Sequence, residues 1–383
     1  MVSNAIVIGG GIGGLACASA LAARGVAVTL LEQAPAITEV GAGLQISPNG
    51  LAVLRALGIE DALLRSGAVQ AGAVVLADYR RAGEVARLDL GRLGDQRYLF
   101  VHRADLIGLL AKAARRANVT VELGARVRRV EPGDPARVIC EDGSVRRAEL
   151  VVGADGLQSV ARVALNGKTA PFFTGQVAWR ALVPGRPGQA AEARVTMGPG
   201  CHIVSYPLRD GTLTNLVAVQ ERRDWAAEGW DHADDPDNLR AAFAGFSGEA
   251  AGLLEQVREV RLWGLFRHPV APVWQSGGIA LIGDAAHPTL PFLAQGANLA
   301  LEDGWVLAGM ADDLAGYQAV RRVRADRVIA ASSGNARKYH LREGPLRWAA
   351  HAGLRLGSRL VPGLMMRQFD WIYRHDVTRA SKK

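Results

Sequence analysis

The chain is predicted to fold as an α/β protein: a nucleotide-binding half, an antiparallel sheet beside it and a helical C-terminal segment. Three observations carry this. A strand, glycine turn, helix, strand pattern opens the chain; apolar and polar residues alternate over 73–90, and further strand-like runs follow between 176 and 220; and helix-forming composition takes over after residue 295. At 383 residues the chain exceeds what one small core organises, so two lobes are expected.

Residues 5–8 are an apolar run ending in Gly9-Gly10-Gly11-Ile12-Gly13-Gly14. Small residues Ala16, Ala18 and Ala20 then mark a helix over 15–23, and 26–31 is a second strand ending at Glu32. Residues 41–49 read as a glycine-rich loop, followed by a helix through Leu51, Leu54 and Leu57. A hairpin is expected over 73–90 with its turn at Arg81-Ala82-Gly83, then a helix over 101–117 beginning near Arg103. Strands follow over 119–130 and 136–150 around Pro132-Gly133 and Asp142-Gly143, and again at 176–183, 193–197, 202–208 and 213–220 as one antiparallel sheet. Residues 236–257 read as helix, 279–282 as a strand and 295–310 as a long helix. On this reading 1–72, 99–172 and 269–335 build the nucleotide-binding domain, 73–98 and 173–268 the sheet domain, and 336–383 the helical end.

Composition narrows the function. No apolar run approaches the ~20 residues of a membrane helix, and the first strand begins too near Met1 for a signal peptide, so a cytoplasmic address is expected. Cys17, Cys140 and Cys201 form no CxxC pair and no zinc-ligand spacing; Cys201 and His202 are strand neighbours on opposite faces, so no metal is expected. Net charge is +8, but residues 321–383 hold 15 Lys and Arg against four acidic residues, so the basicity belongs to the C-terminal end. Nucleic acid or an anionic bilayer could meet such charge; with 6% aromatic residues and no nucleic-acid signature, a solvated helical face is the simpler reading.

In the GxGxxG spacing of Gly9, Gly11 and Gly14, the first glycine permits a tight turn, the second lets backbone approach a pyrophosphate, and the third lets helix pack on strand. The helix N-terminus then offers free N–H groups to phosphates, and Glu32 falls where a carboxylate accepts from ribose hydroxyls. A glycine turn with no cofactor is the alternative. Two further segments follow: Gly153-Ala154-Asp155-Gly156 with Ser159 and Arg162, and Gly283-Asp284-Ala285-Ala286-His287-Pro288 with Pro291 and Gln295-Gly296-Ala297-Asn298. No second GxGxxG and no redox CxxC occur, which disfavours a disulfide reductase.

The three segments in this order resemble the flavin-dependent aromatic hydroxylases built like para-hydroxybenzoate hydroxylase, with motifs most like the salicylate, 3-hydroxybenzoate and 6-hydroxynicotinate hydroxylases. The resemblance implies a Rossmann-like FAD-binding domain, NAD(P)H and O2 as co-substrates, and hydroxylation of a small phenolic or N-heteroaromatic acid through a flavin C4a-hydroperoxide. It implies that Gly9, Gly11, Gly14, Glu32, Arg103 and Asp155 bind FAD, that Asp284 bonds the ribityl chain, and that Gly296, Ala297 and Asn298 open a helix toward the flavin ring. Gln45 is placed near the ring, and Gln295 and Pro291 toward substrate; His287 belongs to the cofactor loop. Many relatives have Gly at the position of Ala294; the helix opening is expected to survive, since Ala is an excellent helix former.

His202 and Tyr206 in His202-Ile203-Val204-Ser205-Tyr206 share one strand face. Relatives with this pair use His to deprotonate the substrate hydroxyl and Tyr to orient the ring, which fits a phenol titrating near ~10 and a His near ~6.5. A hydrogen-bonded sheet histidine beside a packed tyrosine is the alternative. Arg180 and Arg209 are candidates for a substrate carboxylate. Also open are a hydroxylase of larger quinone-precursor or polyketide substrates resting its C-terminus on a membrane, a non-catalytic flavoprotein, and a homodimer formed through the helical end.

Overall fold

The structure is a computed structural model that describes residues 1–37, 43–81, 83–223 and 232–379, the side chains of 336 and 337 apart. Strand Asn4–Ile8 lies at the centre of a six-stranded sheet, parallel to Ala27–Glu32 on one side and Leu150–Gly153 on the other. Thr120–Leu123 and Ile279–Leu281 extend it, so one sheet draws on distant stretches of chain. Its strands read as apolar runs because they are covered by other elements, among them the three-stranded antiparallel sheet of Val127–Glu131, Ala136–Cys140 and Val145–Ala148, whose Val130, Val138 and Ala148 share its core. Helix Ile12–Ala22 packs on it, and helix Gly296–Gly309 packs on that helix. Small residues allow the approach: a Cβ on Gly304 would meet Cys17 backbone at 3.0 Å, and one on Gly13 would meet Ala300 Cβ at 3.1 Å. Cys17 is thereby buried, and desolvation pushes its thiol up to about 12, which leaves it inert.

The second layer is an eight-stranded platform ordered His232–Asp234, Val260–Arg267, Phe172–Pro184, Leu213–Glu221, Cys201–Leu208, Glu192–Gly198, Ala73–Asp78, Glu84–Asp89. Its pairs are antiparallel with one exception: Glu192–Gly198 runs parallel to Ala73–Asp78, since the 73–89 hairpin arrives from elsewhere in the chain and docks on the sheet edge.

Local expectations are corrected in four places. Residues 43–46, expected as loop, form strand Gly43–Ile46, which pairs with Leu99–His102; the start of the expected 101–117 helix is therefore strand, and helix runs Arg103–Arg116. Helix 236–257 is two helices, Pro236–Ala242 and Gly248–Gln256, broken where Phe243 and Phe246 turn into the core. Strand Val260–Arg267 was missed. Gly41, Ala42 and the hairpin-turn residue Ala82 lie outside the described residues. The C-terminal segment is helical, with Leu314–Tyr339 and Pro345–Leu360 its longest elements.

Candidate active site

A cavity of about 450 Å³ lies between the two layers, a size typical of small-molecule sites. At one end stands the glycine turn. Gly9 has φ of +104°, and a Cβ there would lie 2.4 Å from the Ala154 carbonyl oxygen; a Cβ on Gly14 would lie 2.0 Å from the Gly9 carbonyl oxygen. Gly11 lines the cavity, and a Cβ on it would meet no protein atom within 4 Å. Helix Ile12–Ala22 starts there with no side-chain cap and no acidic residue in its first turn, leaving its N–H groups to an anion. Glu32 closes the turn, accepting from the N–H of Gly10 at 2.6 Å and of Ala34 at 2.8 Å.

Helix Gly296–Gly309 brings a second uncapped N-terminus to the same cavity, again with no acid in its first turn, and Gly296 and Ala297 line the wall. Asp284 opens its carboxylate into the cavity near Arg103; the surrounding protein raises its carboxyl above the ordinary value, while His287 and Arg103 pull the other way. Arg103, Gln45 and Pro291 also line the wall, with Gln45 accepting from the Tyr98 hydroxyl at 2.8 Å.

Three residues placed toward cofactor or substrate by resemblance have their side chains engaged elsewhere. Asp155 accepts from the Ser159 hydroxyl at 2.5 Å and the Val160 N–H at 2.8 Å, capping helix Val160–Asn166. Its neighbours Ala154 and Gly156 face the cavity instead. Gln295 is buried between Ser47 and Asn49, at 2.9 and 3.1 Å, and does not line the cavity. Asn298 ties the helix to the Gln45 strand, accepting from the Ser47 N–H at 3.1 Å and donating to the Gln45 carbonyl at 3.1 Å. Arg162 joins the second segment to the third, donating to the carbonyls of Ala285 at 3.1 Å and Pro269 at 2.7 Å. Ala294 is not in the helix; it sits before it in the left-handed region at φ +52°, so helix propensity is not what preserves the opening.

On the platform side, His202 and Tyr206 both line the cavity from strand Cys201–Leu208, opposite Val219 and Asn215. They are separated by about 13 Å of strand. Tyr206 lies against the Gly43 backbone, where a Cβ would come within 2.6 Å of its ring, and 5.0 Å from the Phe100 ring. His202 packs on Phe292 and Tyr339. Burial, reinforced by His340, lowers the His202 pKa well below its ordinary value, so its ring is neutral near pH 7. Burial raises Tyr206, which stays protonated. Arg180 lines the cavity, whereas Arg209 is held outside it in a bidentate pair with Asp105 at 2.8 and 3.0 Å.

Sequence reading missed Phe369 and Tyr373, which wall the cavity from the C-terminal segment, and the ion cluster behind helix Gly296–Gly309. In that cluster Asp303 meets His287 at 2.5 Å and Arg321 at 2.8 Å, while Glu302 meets Arg321 at 2.7 Å and Arg324 at 2.8 Å. Its signal was legible: two adjacent acids inside an otherwise apolar helix demand buried partners.

A parallel sheet entered through a glycine turn, joined to an antiparallel platform across a cavity with two bare helix ends, defines a dinucleotide-cofactor oxidoreductase fold. The family model described as FAD binding domain matches residues 3–330, and the chain belongs to that family. It is 36% identical to 3-amino-4-hydroxybenzoate 2-monooxygenase of Streptomyces cremeus over 88% of each chain. It is 35% identical to 6-hydroxynicotinate 3-monooxygenase of Bordetella bronchiseptica, covering 84% of this chain and 87% of that one. Among solved structures, a salicylate hydroxylase substrate complex superposes with a TM-score of 0.83 at 26% identity, over 98% of this chain and 96% of that one. FAD fits the residues present: the open side of Gly11 and the first helix end suit a pyrophosphate, and the second helix end suits the flavin ring.

Proposed function

We infer that the protein is a single-component, FAD-dependent monooxygenase that hydroxylates a small phenolic or N-heteroaromatic acid with NAD(P)H and O2. The observation that carries this is the placement of His202 and Tyr206 on one platform face, in the cavity that both bare helix ends enter. Bound FAD supplies electron storage and oxygen activation. The chain supplies the rest. His202, neutral at pH 7, takes the proton of the ring hydroxyl and so makes the ring electron-rich; Tyr206 orients the ring against the Gly43 backbone. Arg180 pairs with the substrate carboxylate, since Arg209 is committed to Asp105. The positive end of helix Gly296–Gly309 favours negative charge on the ring system before it, and apolar walls exclude water.

Relatives named for 3-amino-4-hydroxybenzoate and 6-hydroxynicotinate support this substrate class. The test is a panel of these two acids, salicylate and 3-hydroxybenzoate, read as stimulated NAD(P)H consumption and a product carrying one added oxygen atom by mass spectrometry. Flavin-loaded protein that hydroxylates no aromatic acid overturns the reading. No helix among the described residues is long and apolar enough to cross a membrane. A reaction consuming NAD(P)H fits a cytoplasmic address, where that reductant is regenerated. Exposed Leu346, Leu356 and Leu360 on helix Pro345–Leu360 offer the surface for a homodimer, which sedimentation checks.

A further inference from the structure

Behind His202 runs a chain of hydrogen bonds that reaches solvent. Nδ1 of His202 lies 2.7 Å from Nε2 of His340, and Nδ1 of His340 lies 2.9 Å from Oε1 of Glu221. His340 follows the last residue of helix Leu314–Tyr339, and Glu221 ends strand Leu213–Glu221. Gly200 joins the two: its N–H donates to the His340 carbonyl at 3.2 Å, and its carbonyl accepts from the Glu221 N–H at 2.9 Å. The His340 side chain is 1% exposed and that of Glu221 is 49% exposed, so the chain begins at the cavity wall and ends in water.

Donor and acceptor chemistry fixes its direction. An ionised carboxylate only accepts, so His340 carries its proton on Nδ1; a neutral ring then has a bare Nε2, and His202 must donate to it from Nδ1. The opposite order would set the bare Nδ1 of His340 against the Glu221 carboxylate, two acceptors facing one another. His202 is left with its lone pair on Nε2, which has no hydrogen-bond partner among the described residues, while the ring lines the cavity. Both rings are neutral at pH 7: burial lowers each, with Glu221 pulling His340 only partly back. The other rings packed on His202 carry no charge there, since Phe292 has none and burial pushes Tyr339 up to about 12.

We propose that Glu221 and His340 are positioning and relay residues that hold His202 in the one tautomer able to accept a ring-hydroxyl proton and pass a proton on to solvent. As the substrate O–H bond breaks, a bond forms to His202 Nε2. The Nδ1 proton of His202 moves to His340 Nε2, the Nδ1 proton of His340 moves to Glu221, and water removes it. The oxygen keeps its electron pair, and nothing is oxidised or reduced. The transfer step rests on the hydroxylase reading above; the tautomer does not.

Nitrogen-15 histidine NMR of the FAD-loaded protein reads the tautomers directly. At pH 7 both His202 and His340 are expected as neutral Nδ1–H rings, and Glu221→Ala, at a half-exposed site, should shift both toward the Nε2–H form that free imidazole prefers. A His202 ring found as Nε2–H or doubly protonated in the native protein overturns the proposal. With 3-amino-4-hydroxybenzoate as probe, His340→Gln should lower kcat at pH 7 at least tenfold and change KM less than twofold, with the deficit shrinking as pH rises. A pH profile identical to the native one also overturns it. If the native protein leaves this acid and the rest of the panel unhydroxylated, the functional reading fails, and the NMR result still decides the tautomer.

Discussion

Three glycines of one motif meet different surroundings, and substitution separates them. Gly9→Ala and Gly14→Ala drive a Cβ into backbone at 2.4 and 2.0 Å, so both should cost stability of about 1–3 kcal/mol or more and lose flavin. Gly11→Ala meets no protein atom within 4 Å, so its melting temperature should hold while the Kd for FAD weakens at least tenfold; equal flavin content in all three would refute this. Ala294→Gly should raise stability by up to about 1 kcal/mol, since Ala pays a left-handed penalty at φ +52° that Gly does not. His202→Ala should keep FAD and substrate binding but slow hydroxylation by about 10²–10⁴-fold, recovering in part toward the pKa of the substrate. His202 and Tyr206 were legible because four residues of strand return a side chain to the same face. His340 was not, because it meets His202 from 138 residues away and no local pattern records such a contact.

At the scale of elements, helix Gly296–Gly309 is held from behind by charge. Burial alone would raise Asp303 and lower His287, yet the pair is displaced the other way, because His287 and Arg321 stabilise the carboxylate and Asp303 stabilises the imidazolium. The pH consequence has two signs. With His287 raised above its unfolded value of ~6.5, its contribution is full below that pH and fades as pH rises through the folded value; the contribution of Asp303 is full above ~3.9 and fades as pH falls through its depressed folded value. Thermal melting from about pH 6 to about pH 9 should therefore show a declining limb that His287→Asn flattens, and an unchanged slope would remove His287 from the network. Arg321→Met leaves two buried carboxylates short of a partner and should cost about 3–5 kcal/mol in a denaturant titration. The long helix itself was readable from composition. Strand Val260–Arg267 was not, since its pairing with Phe172–Pro184 supplies an order that its own sequence does not announce.

For the whole molecule, the C-terminal segment closes the site. Phe369 and Tyr373 wall the cavity, and Arg324 of the buried cluster donates to the carbonyls of Trp371 at 2.9 Å and Ile372 at 3.2 Å. Part of the basic charge read as a solvated face is therefore internal: Arg321, Arg324 and Arg347 are buried against acids or carbonyls. Ending the chain after residue 340 should lower the melting temperature and drop the ratio of hydroxylated product to NAD(P)H consumed, because water then reaches the cavity. A ratio equal to that of the full chain would show the segment to be a bystander. The glycine turn made a dinucleotide site legible because it is a local backbone demand, and the three segments in order made FAD legible through the family they resemble. The closing wall was not, because two aromatic residues in a basic tail carry no spacing that points to a cavity.

That wall has a consequence for biosynthesis. The nucleotide-binding sheet receives its strand Ile279–Leu281 late, and the cavity is completed only by a segment ending at Tyr373. A ribosome must therefore release the chain through Tyr373 before the pocket can shut, so a shorter nascent chain holds a site that lacks this wall.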